Sequence, residues 1–137
     1  MPSDDVTFFH YDGYGVEAKN VHYYSQAARV GDRIETSGQG GWDPKTGKCR
    51  TTIEEEIKQA FENVELTLKT AGGKGWEQVV KIVTYHVDLQ PLHMELVIKH
   101  LKEKMPNRQP LWTQIGVAKL AYPDMHIEID VVAYDPK

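Results

Sequence analysis

Residues 23–47 read YYSQAARVGDRIETSGQGGWDPKTG, and this stretch decides the fold. Two runs that favour β-structure, residues 23–30 and 33–37, flank a Gly31-Asp32 pair. A Gly-Asp pair between two such runs predicts a β-hairpin with a tight turn. A glycine-dense corner, residues 37–41, follows directly and brings polar side chains next to unobstructed backbone. That combination is typical of the mouth of a small-molecule pocket.

Downstream of the hairpin the sequence predicts an amphipathic helix. Thr52 and Glu55 have the spacing of a capping box, which marks a helix N-terminus. The pair Gly72-Gly73 is a C-terminal signal. Between these signals apolar residues recur at helical spacing on one face. They are Ile53, Ile57, Ala60, Phe61, Val64, Leu68 and Ala71.

The remaining chain predicts one more helix and three more strands. Residues 79–87 are short and β-branched, which favours a buried strand. A second helix is predicted from Pro91 to just before Pro106, with Leu92, Leu96, Leu101 and Met105 roughly along its inner face. Residues 111–120 favour a strand, and residues 126–131 alternate apolar and polar, as a half-buried strand does. Residues 1–20 are interpreted as irregular.

The resulting element order, ββαβαββ, predicts one α+β domain over residues 1–137. Two helices would cover one face of a mixed sheet. Because the second face would lie open, we expect it to be buried against other subunits.

Composition and charge argue against several classes of binding partner. The 137 residues carry a net charge of −4 without a cluster of Lys and Arg, so nucleic acid is an unlikely main partner. The sequence shows neither a secretory signal nor an apolar run of the roughly 20 residues that span a bilayer. A single cysteine suits a reducing compartment. The expected location is therefore the cytoplasm, with no membrane association.

Several dispersed blocks resemble the RidA/YjgF family of reactive-intermediate deaminases. These blocks are YSQAARVGDRIETSGQ, DPKTG, FENV, VVKIVTYHVDL and IGVAKL…HIEIDVVAY, in family order. The resemblance implies a chorismate-mutase-like fold and a homotrimer with sites in the clefts between subunits. It also implies hydrolysis of enamines or imines to ketoacids and ammonia, without a metal or organic cofactor.

The same resemblance implies the site residues. Tyr24 and Ser37 match the pocket tyrosine and serine, and backbone near Gly38 would help to orient the substrate. Glu128 matches the glutamate that positions the hydrolytic water. Periodicity alone favours an ordinary solvated strand face at Glu128, and it is the resemblance that points to a functional role. The glycines of the corner either present N–H groups to a ligand or simply bend the strand.

One block departs from the family. The deaminase motif reads approximately P-A-R-S-C-V-E-V, and its arginine binds the substrate carboxylate. Here Trp112 stands in the arginine position and Gln114 in the cysteine position. An indole offers one neutral donor instead of two charged, paired hydrogen bonds, so activity on 2-imino acids is expected to be weak or absent. Trp42 and Trp112 either pack in the core or an interface, or form an aromatic wall for a flat, uncharged ligand.

Three functions follow from these observations. The first is hydrolysis of an imine, enamine or related reactive metabolite at an intersubunit cleft. The second is a non-catalytic small-molecule-binding or chaperone-like trimer that keeps the cleft. The third is an endoribonuclease, which the acidic balance disfavours. The scattered histidines lack a ligand motif, so no metal site is predicted.

Overall fold

Seven strands form one mixed sheet in the computed structural model, which describes residues 5–137. The sheet order is β1-β2-β3-β7-β5-β6, and β4 pairs with β7 beyond the end of β3. The β5–β6 pair is parallel and the other neighbouring pairs are antiparallel. The predicted α+β class with a mixed sheet is confirmed. The strands are β1 (Val6–Phe9), β2 (Ala27–Val30), β3 (Arg33–Thr36), β4 (Gln39–Gly40), β5 (Val79–Val87), β6 (Leu111–Val117) and β7 (Ile127–Tyr134).

Three α-helices accompany the sheet in the described residues, one more than predicted. They are α1 (Tyr14–Glu17), α2 (Ile53–Thr70) and α3 (Pro91–Lys104). A π-helical turn, Ala18–His22, continues α1, and a 3₁₀ turn, Trp76–Gln78, precedes β5.

The N-terminal segment corrects one sequence prediction. The interpretation of residues 1–20 as irregular is wrong for the described part, because β1 and α1 lie there. The strand β1 pairs with the edge of the predicted hairpin, which itself turns at Gly31 with φ +59°. The helix α1 is held by a distant turn, since the Tyr14 N–H donates to the Pro44 carbonyl at 2.8 Å. Both elements depend on tertiary partners rather than on local periodicity.

The helix α2 agrees closely with its prediction. The Thr52 hydroxyl accepts from the Glu55 N–H at 3.2 Å, and Gly72 follows the helix with φ +90°. The predicted apolar face is buried except for Ile53, which is half-buried. This face packs on the inner residues of the sheet, among them Ile34 and Ile129, and so covers one side of it.

The helix α3 buries most of its predicted inner face and two histidines besides. Met105 is buried, and Leu96 and Leu101 pack against the core. Leu92 is 39% exposed, whereas His93, Val97 and His100 are buried. Helix α3 therefore places two histidines towards the core. His93 lies beside the fully buried His86 of β5, with ring centroids 5.4 Å apart.

Stability should fall on acidification because of His86. Burial lowers the pKa of His86 from an ordinary value near 6.5 to about 4, with a further contribution from His93. The unfolded chain therefore binds a proton that the folded chain excludes. The contribution of neutral His86 to the free energy of unfolding is complete above about pH 6.5. As the pH falls towards 4 this contribution is lost, and the loss is on the order of 3 kcal/mol. Urea midpoints at pH 7 and pH 4.5 measure this loss.

Two substitutions separate the contribution of His86 to the pH dependence of stability from that of other groups. His86→Gln should flatten the pH dependence, whereas His10→Gln, at an exposed histidine, should retain it. Comparing these variants cancels the titration of carboxyl groups. An unchanged slope in His86→Gln would assign the acid sensitivity to other groups.

Candidate functional site

Glu128 lies on the side of the sheet opposite the helices. Within β7 the residues Ile127, Ile129, Val131 and Ala133 are buried in the core, so the alternating Glu128 and Asp130 face the other way. Strand pairing sets Glu128 opposite Tyr85 of β5 and Gly40 of β4. The apolar–polar alternation in the sequence therefore predicts the correct face of the sheet for the Glu128 side chain.

Gly38 lets the backbone approach the Glu128 carboxyl closely. A Cβ atom at position 38 would lie 2.5 Å from Cδ of Glu128, closer than real contacts allow. Burial raises the pKa of Glu128, and the neighbouring Asp130 raises it further. The glycine thus makes room for a carboxyl group whose proton affinity suits exchange closer to neutral pH.

A cavity of about 470 Å³ brings most of the predicted site residues together. Tyr24, Ser37, Gly38 and Glu128 all line it. The structure adds wall residues beyond those that the sequence predicts for the site. They are Tyr14, His22, Ala121, Tyr122 and Met125, together with Trp42, which was a candidate aromatic wall.

Tyrosine hydroxyls form a connected network along this wall. The Tyr14 hydroxyl lies 3.3 Å from that of Tyr24 and 3.0 Å from that of Tyr122. The Tyr122 hydroxyl in turn lies 3.3 Å from Nε2 of His22. Burial raises the pKa of Tyr14, as do its bonds to the other two tyrosines, so its hydroxyl keeps its proton. The network fixes three rings relative to one another.

Ser37 has a structural bond as well as its position in the cavity. Its hydroxyl donates to the Ser25 carbonyl at 2.7 Å, which ties the end of β3 to the segment before β2. The donated proton is thereby committed, and the oxygen can only accept from a ligand. A nucleophilic role for Ser37 is thus disfavoured.

Trp112 and Gln114 do not join this cavity within one chain. In β6 they lie opposite Ile82 and Thr84, on the helix side of the sheet. The Trp112 indole donates to Thr84 Oγ1 at 3.0 Å and packs against the core. It lines a separate cavity of about 340 Å³ next to α3. The packing interpretation of Trp112 therefore describes its position in one chain.

The arginine nearest to the altered motif is committed elsewhere. The Arg108 guanidinium donates to the main-chain carbonyl groups of Glu77 and Val79, the latter at 2.9 Å. It lines the cavity next to Trp112 and does not line the one that contains Glu128. Within the described chain Arg108 does not supply the missing carboxylate contact.

Only weak signals marked the additional wall residues in the sequence. Tyr122 occurs in a polar turn, where a large aromatic residue is uncommon, and Tyr14 follows a glycine in an aromatic-rich segment. These two residues are 108 positions apart in the sequence, and their hydroxyls lie 3.0 Å apart in the folded chain.

Residues 5–137 contain neither a candidate metal site nor a helix that could span a membrane. In that range no cluster of three or more His, Cys, Asp or Glu residues is arranged to hold a metal ion. The helices of the same range are too short or too polar to cross a membrane.

The fold and the cavity define a small α+β protein with a carboxyl group and tyrosines at one end of its sheet. The family model described as "Endoribonuclease L-PSP" matches residues 15–135. This match covers most of the chain, which therefore belongs to the RidA/YjgF family. The predicted family membership is confirmed.

Individual relatives support the assignment. A RutC family protein from Aquifex aeolicus is 34% identical over 110 residues, covering 80% of this chain and 86% of that protein. The human protein named 2-iminobutanoate/2-iminopropanoate deaminase is 35% identical over 88 residues, covering 62% of this chain and 64% of that protein. The solved structure of protein YjgH is 28% identical, with a TM-score of 0.82 over 97% of this chain and 98% of that chain.

Proposed function

We propose that the protein hydrolyses a C=N bond in an imine, or in an enamine after its conversion to the imine, giving a carbonyl compound and ammonia. The observation that supports this best is the Glu128 carboxyl, which has a raised pKa and rests against Gly38 in a cavity lined by tyrosine hydroxyls. Relatives named as imine deaminases support the same reaction class.

The chemistry needs one group that takes and returns protons. Glu128 accepts a proton from water as the water oxygen attacks the carbon of the C=N bond. The nitrogen receives that proton, and a carbinolamine forms. Loss of the hydroxyl proton then re-forms a carbonyl as the C–N bond breaks and ammonia leaves with the proton. Glu128 ends in its starting state, and no cofactor is required.

The other cavity residues would orient the substrate. The Ser37 oxygen accepts hydrogen bonds, and the Tyr24 hydroxyl, on a side chain 36% exposed, can both donate and accept. The Gly38 backbone packs closely against the Glu128 carboxyl and helps to hold it at the cavity wall.

Ammonia release tests the proposal. Imines generated in the assay by oxidation of chemically diverse parent amines would be compared with and without the protein. We expect accelerated ammonia release from at least one class. If every class decays at the uncatalysed rate, the protein is a binding protein rather than an enzyme of this type.

The second candidate is a non-catalytic small-molecule-binding or chaperone-like trimer. Its support is the altered β6 motif, in which Trp112 and Gln114 replace residues that the deaminases use. The endoribonuclease function has less support, because among the described residues neither Lys nor Arg lines the Glu128 cavity, and phosphate binding needs such side chains.

We expect the protein to be a homotrimer, because the family resemblance implies a trimer and the sheet face opposite the helices lies open. Phe8, on β1, and Leu111, on β6, are exposed apolar residues in register with that face. Light scattering at micromolar concentration should give three times the chain mass of 15.6 kDa. A stable monomer mass would contradict this prediction.

A further inference from the structure

The Glu128 cavity has an unbalanced charge. Among the residues that the structure describes, its lining contains one carboxyl group, from Glu128, and no Lys or Arg. His22 is the other side chain there that can carry charge, and its Nε2 is 3.3 Å from the Tyr122 hydroxyl. The nearby Lys19 lines the adjoining groove instead. Asp130, two residues along the same strand face, does not line the cavity, and its carboxyl accepts from the Tyr85 hydroxyl with Lys81 nearby.

Aromatic side chains form much of the remaining wall. Tyr14 and Trp42 are in contact, with ring centroids 4.5 Å apart, and Tyr14 and Tyr122 meet edge to face at 6.5 Å. Tyr24 joins them through the hydroxyl network. Aromatic rings attract cations through their negative faces, and they also fit flat ligands. Carboxylate and aromatic rings together are a common arrangement for binding an organic cation.

We infer that this cavity selects flat, positively charged ligands, and that its substrate is bound as a protonated C=N group beside Glu128. The inference rests on the proposed hydrolysis and names the form of the substrate. A protonated imine, an iminium ion, is more easily attacked by water than a neutral imine. A ligand cation next to Glu128 also favours the carboxylate form, which is the form that accepts the water proton.

Within one chain the same geometry disfavours anionic ligands. A ligand carboxylate in the cavity would face Glu128 without a cationic residue from the described chain to balance it. Like charges at short range cost free energy, and more so where burial reduces solvent screening. The preferred substrates are therefore imines whose remaining structure is uncharged.

Three ligands of the same flat shape test the charge preference. Benzamidine is a stable cation with a protonated C=N group, benzamide is its neutral counterpart, and benzoate is the anion. Calorimetric titration at low salt should show benzamidine binding at least about tenfold more tightly than benzamide, on electrostatic grounds. Benzoate should not saturate the protein. Amide chemical shifts should change at Gly38 and Tyr122 on addition of benzamidine.

Two matched variants locate the preference. Glu128→Gln should remove most of the difference between benzamidine and benzamide. Asp130→Asn, on the same strand face but outside the cavity lining, should keep most of it. If Glu128→Gln does not fold, Tyr122→Leu supplies an independent test, with an expected loss of roughly two- to fivefold in benzamidine affinity.

Each result has a defined meaning. Three results would overturn the inference. Benzoate could bind as tightly as benzamidine, the preference for benzamidine could persist in Glu128→Gln, or benzamidine could fail to bind saturably. Charge-selective binding without ammonia release from any imine would support the inference and contradict the hydrolytic function. Fast turnover restricted to anionic imines would support the hydrolytic function and contradict the inference.

Discussion

Replacing Glu128 with Gln is expected to lower kcat by about 10²–10⁴-fold on any substrate that turns over, which is the usual contribution of a general acid or base. Gln keeps the size of the side chain and can donate and accept hydrogen bonds, but it cannot take a proton from water. Steady-state ammonia release by the two proteins measures the effect. Because Glu128 lies outside the helix-packed core, the variant should remain folded.

Asp130→Asn is the matched control for this substitution. Asp130 is also an acidic residue on β7 with a pKa that burial raises, but its carboxyl accepts from the Tyr85 hydroxyl at 2.9 Å and does not line the cavity. It should retain most of the activity. Tyr24→Phe and Ser37→Ala should lose less than Glu128→Gln, because orienting groups are partly redundant. An undiminished kcat in Glu128→Gln would remove Glu128 from the mechanism and favour the binding protein.

Activity on ordinary 2-imino acids, such as those from leucine or methionine, is expected to be weak or absent. The family arginine that binds the substrate carboxylate is replaced by Trp112, and Arg108 is bonded to backbone carbonyls. Loss of a charged partner that leaves the other group desolvated costs on the order of 2–5 kcal/mol. That cost corresponds to about two to four powers of ten in rate. Ammonia release from these imines, set against an uncharged imine, measures the discrimination.

Rapid turnover of 2-imino acids by the unaltered protein would contradict the inference from Trp112. A Trp112→Arg variant adds a second comparison. In one chain, position 112 lies on the helix side of the sheet, away from Glu128. A gain of 2-imino acid activity in that variant would therefore indicate that β6 of one subunit reaches the Glu128 cavity of another.

The sequence by itself determined the elements that have strong local signals. The capping box and apolar period of α2, the β-branched run of β5 and the Gly31 turn all lie where their patterns predict. The alternation in β7 also placed Glu128 on the face opposite the core. These signals are readable because burial of one face imposes a fixed period on the residues of a helix or strand.

The side to which Trp112 points was decided by the tertiary structure. Strand β6 reads LWTQIGV, with apolar residues at both odd and even positions, so its pattern does not assign a face. A shift of one residue in the pairing would move every side chain to the other face. The register with β5 settles the matter by setting Trp112 opposite the buried Ile82.

The composition of the cavity wall was likewise decided only by the tertiary structure. Tyr14 and Tyr122 meet across 108 residues of sequence, and the Gly38 backbone meets the Glu128 carboxyl through the pairing of β4 with β7. Local periodicity reports which side of an element is buried, but it does not report which distant residue lies opposite. The tyrosine network and the close approach at Gly38 therefore follow from strand order and register, since these bring distant segments into contact.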